Sequence, residues 1–205
     1  MLIGRNCAVG PAIDRVRPGD VPPDWSRAPA PTATLEAMKL AGLRLRQRDG
    51  VTCGPTVAVV AGAILDPRRR TALTDPVWFS DEQVRVHADI NRVWPRRWGT
   101  TPWGMVRALN IHGVRYRWRV ARGRRDALAD VWGAVAAGRP VAVLVGRTIP
   151  RHWVLIVGCR GVTFDFYEPT SGQVRTIRID AVRRGEMSGV GFPWPFAYAL
   201  PKECD

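Results

Sequence analysis

The sequence predicts an α+β protein in which a helical half packs on an antiparallel β-sheet. Three observations carry this. Residues 35–137 hold several stretches with helix-start and helix-stop signals, such as Thr-Thr-Pro at 100–102 with Gly at 113. Residues 141–200 hold five short runs rich in Val, Ile, Leu, Phe and Tyr, bounded by Gly and Pro. The two kinds of segment are segregated along the chain rather than alternating, which disfavours a parallel, doubly wound sheet.

The elements follow in order. Residues 1–34 are rich in Pro, Gly, Asp and Arg and read as an N-terminal arm, with Trp25 as its one aromatic residue and anchor on the domain. The remainder, 35–205, reads as one domain. A small, apolar run over 52–65 predicts a buried helix with Thr52 as its N-cap. Ser80 followed by Asp81 and Glu82 predicts a second helix over 80–94. A third is expected over 100–113, and a fourth over 126–137, stopped by Gly138 and Pro140. Alternation with Arg over 114–120 predicts an edge strand. The other strands are expected at 141–145, 153–157, 163–167, 174–179 and 196–200. The Gly- and Pro-rich aromatic segment 188–196 reads as a loop bordering a cleft.

The chemistry-bearing residues fall at the ends of these elements. Cys53 sits where the first helix begins, and the partial positive charge of a helix N-terminus favours thiolate over thiol. Gln47, just upstream, carries a side-chain amide that can join the Cys53 backbone N–H as an oxyanion donor. His152 opens an apolar strand, and Glu168 closes the next one before Pro-Thr-Ser-Gly. A nucleophile, a base and a carboxylate at such positions form a Cys–His–acid constellation: the histidine takes the thiol proton and the acid fixes the imidazole's orientation. Asp165, three residues before Glu168, is the alternative acid; in a strand the two face opposite sides, so only one can serve.

The order Gln47…Cys53-Gly-Pro…His152-Trp-Val-Leu-Ile-Val-Gly…Tyr167-Glu-Pro-Thr-Ser-Gly172 resembles the papain-like C39 peptidase superfamily, including its stand-alone C39-like members. The resemblance covers about residues 43–172. It implies a papain-like fold and a cysteine-dependent acyl transfer, with Cys53 as nucleophile, His152 as general base, Glu168 as the orienting acid and Gln47 at the oxyanion hole. The family usually has Asp where this chain has Glu168. The implied activity is peptide hydrolysis without metal or organic cofactor. A deamidase or transglutaminase acting on protein side chains, and a catalytically silent scaffold with an acidic partner, are the alternatives.

Composition narrows the partners. The net charge is +13, and of 31 basic residues only Lys39 and Lys202 are lysine, so the basic character is almost wholly arginine. Such charge steers acidic partners. Nucleic acid is disfavoured, because the arginine clusters at 68–70, 96–97, 122–125 and 183–184 are scattered and no zinc-finger spacing or aromatic RNA-binding motif accompanies them. The cysteines 7, 53, 159 and 204 include no Cys-x-x-Cys pair, so no zinc site is expected. No apolar run approaches a membrane span or a signal-peptide core, so a cytoplasmic protein with free thiols and no membrane insertion is expected.

Overall fold

The computed structural model describes residues 45–90 and 99–202. The N-terminal arm with Trp25, the terminal cysteines 7 and 204, and Trp94 and Trp98 lie outside the described residues.

The first helix among the described residues is α1 (Cys53–Leu65), with twelve of its thirteen residues buried. Its residues are small or β-branched all round, so it has no polar face to turn to water, and Val57, Val60 and Ala61 are wholly buried. Each such valine contributes about 1.5–3 kcal/mol through removal of its apolar surface from water. Two glycines let neighbours close on it. A Cβ at Gly54 would lie 2.3 Å from Thr100 Oγ1, and one at Gly62 would lie 2.5 Å from His112 Nε2. Thr52 is not a side-chain cap. Its hydroxyl instead accepts from Asp49 N at 3.1 Å, closing the turn before the helix.

Next come α2 (Pro76–Ile90) and α3 (Pro102–Asn110). The start of α2 is four residues earlier than Ser80. The capping atom is Asp75 Oδ1, which accepts from Val77 N at 2.9 Å and Trp78 N at 3.2 Å, with Pro76 as the first helical residue. At α3 the Thr-Pro signal holds: Thr101 Oγ1 accepts from Gly104 N at 3.1 Å.

The sheet is built from β1 (Tyr116–Val120), β2 (Val141–Gly146), β3 (Pro150–Arg160), β4 (Thr163–Glu168), β5 (Gln173–Arg178) and β6 (Trp194–Pro201). Their order is β1-β6-β2-β3-β4-β5, and every neighbouring pair is antiparallel. β1 is an edge strand, as its alternation with arginine predicts, and β5 is the other edge. The fold class is therefore α+β.

Strand periodicity divides the core in two. Ala142 and Leu144 of β2 and Trp153, Leu155 and Val157 of β3 face α1, α2 and α3. Val141, Val143 and Val145, with Val154 and Ile156, face the opposite side. There they meet α4 (Ala129–Ala136) and α5 (Ile179–Arg184). Both faces of β2 are covered, which is why its sequence is continuously apolar. Two expectations change here. The helix within 126–137 packs across the sheet rather than with the first three, and the strand expected to reach residue 179 gives way to α5, ended by Gly185 at φ 74°. A β-strand reading and a short helix compete at Ile177–Val182, and burial of Ile179 and Val182 against the sheet decides for the helix.

Candidate active site

The N-terminus of α1 sets Cys53 at the junction between the helical side and the sheet. β3 runs beneath it, and α1 packs directly on that strand. His152 is the third residue of β3 rather than its first, because the strand extends back to Pro150. It pairs with Val145, where a bulge at Val145/Gly146 breaks the register of β2. Beside it, β4 ends at Glu168. The register runs Leu155 to Tyr167, so the end of β4 comes level with the start of β3.

His152 is buried and held on both sides. Its Nε2 lies 2.9 Å from Glu168 Oε1. With that nitrogen committed, Nδ1 is the ring nitrogen left for Cys53, whose side chain lies close enough to act on the imidazole. Burial alone would lower the His152 pKa. The interactions with Cys53 and Glu168 outweigh it and raise the value from 6.5 to about 9. The Glu168 carboxyl feels the opposing pulls too: burial raises it, while His152 and the backbone N–H groups after it hold it well below the usual carboxylate range.

Those backbone groups explain how a glutamate serves here. Glu168 Oε1 accepts from Thr170 N at 2.7 Å and Oε2 accepts from Ser171 N at 2.8 Å. The longer side chain folds back over its own turn, which locks the carboxylate while it faces His152. Asp165 faces away. Its Oδ1 accepts from Thr176 Oγ1 at 2.6 Å, and Arg160 lies 3.7 Å from its Oδ2.

Gln47 sits on the loop that leads into α1. That loop is tied to the Glu168 turn by Gln47 N to Pro169 O at 2.8 Å and Arg46 Nε to Thr170 O at 3.0 Å. The Gln47 side-chain amide donates to Asp49 O at 2.7 Å. Cys53, His152 and Glu168 are thus brought together, and Gln47 lies on the flanking loop with one amide N–H turned inward to that loop.

Gln83 is a positioning residue that sequence reasoning passed over. It is buried on α2, its Oε1 accepts from Arg48 N at 2.9 Å, and its Nε2 donates to Arg46 O at 3.2 Å. The Thr56 hydroxyl of α1 lies 2.7 Å from the same Oε1. One side chain therefore fastens the Gln47 loop to the Cys53 helix. The signal was a glutamine among the apolar positions of α2, next to Phe79 and Val86 on the buried face.

Cys53 is only 5% exposed, but it forms part of the wall of a cavity of about 490 Å³. Trp153 is part of the same wall and is fixed by donation from its Nε1 to Thr100 O at 2.8 Å. Trp103 stands at the cavity as well, with its ring edge-on to Trp118 at 5.0 Å. The turn at 188–192 covers His152 from the other side, with the Phe192 ring 6.0 Å from the imidazole. The remaining histidines are elsewhere: His87 is buried on α2, and His112 packs on Gly62. Among the described residues, no three His, Cys, Asp or Glu side chains gather as a metal site, and no helix is long and apolar enough to cross a membrane.

No protein-family model matches the chain, and no curated protein matches it.

Proposed function

We propose that this chain is a cysteine-dependent acyl-transfer hydrolase with a papain-like fold, and a peptidase of C39-like type in the first instance. The observation that carries the reading is His152, buried, bonded to the Glu168 carboxylate and close to the Cys53 side chain. A structural histidine needs one satisfied partner; this one has a nucleophile on one side and an anchored acid on the other.

In the proposed reaction Cys53 Sγ gives its proton to His152 and attacks the substrate carbonyl. The C–N bond breaks as His152 returns the proton to the leaving amine, leaving a thioester on Cys53. Water, deprotonated by His152, then attacks that thioester and releases the acid and the free thiol. Glu168 holds the ring and stabilises its imidazolium form. The oxyanion takes the Cys53 N–H and an N–H of Gln47, either the second amide hydrogen or the one released when the side chain turns from Asp49 O. An amine in place of water makes the same steps a transamidation.

The experiment is hydrolysis of a broad peptide library, with incorporation of a labelled amine followed in parallel. Wild type is expected to cleave and Cys53→Ala to be inert. Equal turnover by both proteins would remove the thiol mechanism, and silence of both would favour a binding scaffold.

A further inference from the structure

Within that catalytic reading, we infer that the cleft beside Cys53 selects acidic peptides, with Arg107 and Arg151 as the residues that recognise a carboxylate near the reacting bond.

Among the described residues, the charged side chains lining the Cys53 cavity are Arg107, from α3, and Arg151, from β3, with no aspartate or glutamate. Both are exposed. Neither forms an ion pair among the described residues, whereas Arg69 and Arg85, of the neighbouring cavity, do. Arg69 lies 2.8 Å and Arg85 2.6 Å from Glu82, and Arg85 lies 3.1 Å from Asp89.

That contrast localises the selectivity. A second cavity, of about 380 Å³, shares Arg107 and Ile90 with the first and includes Arg69, Arg85 and Asp89. Arg69 and Arg85 there are offset by Glu82 and Asp89. The uncompensated positive charge lies at Arg107 and Arg151, on the part of the groove that contains the nucleophile. The rest of that wall is apolar or aromatic, including Leu144, Trp153 and the 64% exposed Trp103. A peptide bearing an apolar or aromatic side chain next to Asp or Glu meets both kinds of surface. A basic peptide would face two unpaired arginines.

The test reads protection of Cys53 from iodoacetamide, and so needs no turnover. The probes are pairs of short peptides identical except for Glu against Gln, or Asp against Asn, beside a Phe or Leu. The acidic member is expected to protect Cys53 at lower concentration, by about two- to fivefold for each arginine engaged. Arg107→Gln and Arg151→Gln should each shrink the difference and the double variant abolish it. Arg175→Gln, on the edge strand β5, removes the same net charge away from the cavity and should leave the difference intact. Equal protection by the two members of each pair, or a preference that survives in the double variant, would overturn the inference. Acidic peptides that protect Cys53 in an arginine-dependent way, while no peptide in the library is cleaved, would uphold it and count against hydrolysis instead.

Discussion

At the residue scale, Glu168 binds more than the histidine. It accepts from His152, Thr170 N and Ser171 N at once, a load that a carboxylate with two acceptor oxygens can carry and an amide cannot. Glu168→Gln puts an NH₂ group against at least one of these donors. The expected cost is about 1–3 kcal/mol in chemical denaturation, alongside a weakened but surviving activity. The pH dependence gives the sign. His152 is raised from 6.5 to about 9, so its share of stability is complete below pH 6.5 and fades as pH rises through about 9. Glu168 is lowered from 4.5, so its share is complete above that value and lost as pH falls. The His152–Glu168 contact contributes to both shares. The stability difference between wild type and Glu168→Gln should therefore be greatest between pH 4.5 and 6.5 and shrink toward pH 9, as denaturation across that range will show. The Glu168 position was legible from the Tyr-Glu-Pro-Thr-Ser-Gly turn. That the same carboxylate closes this turn was not, because the pattern records a turn without recording which acceptor its free N–H groups find.

At the element scale, the geometry depends on how closely α1 approaches its neighbours. A Cβ at Gly54 would overlap Thr100, whose carbonyl holds the Trp153 indole. Gly54→Ala should destabilise the fold by about 1–3 kcal/mol and push the start of α1 away from β3. Thermal denaturation measures the first effect, and slower alkylation of Cys53 the second. Gln83→Leu, matched in size, should cost less stability but leave Arg48 N without its acceptor and loosen the Gln47 loop; amide exchange at Arg48 will report it. Most elements were legible because period and punctuation agree. The misplaced ones, the start of α2 and the helix α5, lie where a proline-led first turn or a sheet-facing apolar pair overrides local pattern. The side of the sheet on which α4 packs had no local signature at all.

At the scale of the whole molecule, the sheet separates the two described thiols. Cys53 belongs to the core on the α1 face, with a histidine beside it. Cys159 belongs to the core on the α4 and α5 face, where burial, reinforced by Asp165, pushes its thiol up to about 11. Sequence could mark Cys159 as a strand-end thiol. Only the pairing of β3 with β4 sets it beside Asp165. The difference in reactivity between the two sites tests the central claim, that His152 and Cys53 act as one unit. The measurement is the rate of iodoacetamide labelling at each cysteine of the native protein near pH 7, located by mass mapping, in wild type and His152→Ala. The account predicts that Cys53 reacts well ahead of Cys159 in wild type and loses that lead in His152→Ala. Labelling of Cys159 as fast as Cys53, or a Cys53 rate unchanged by loss of the imidazole, would contradict it.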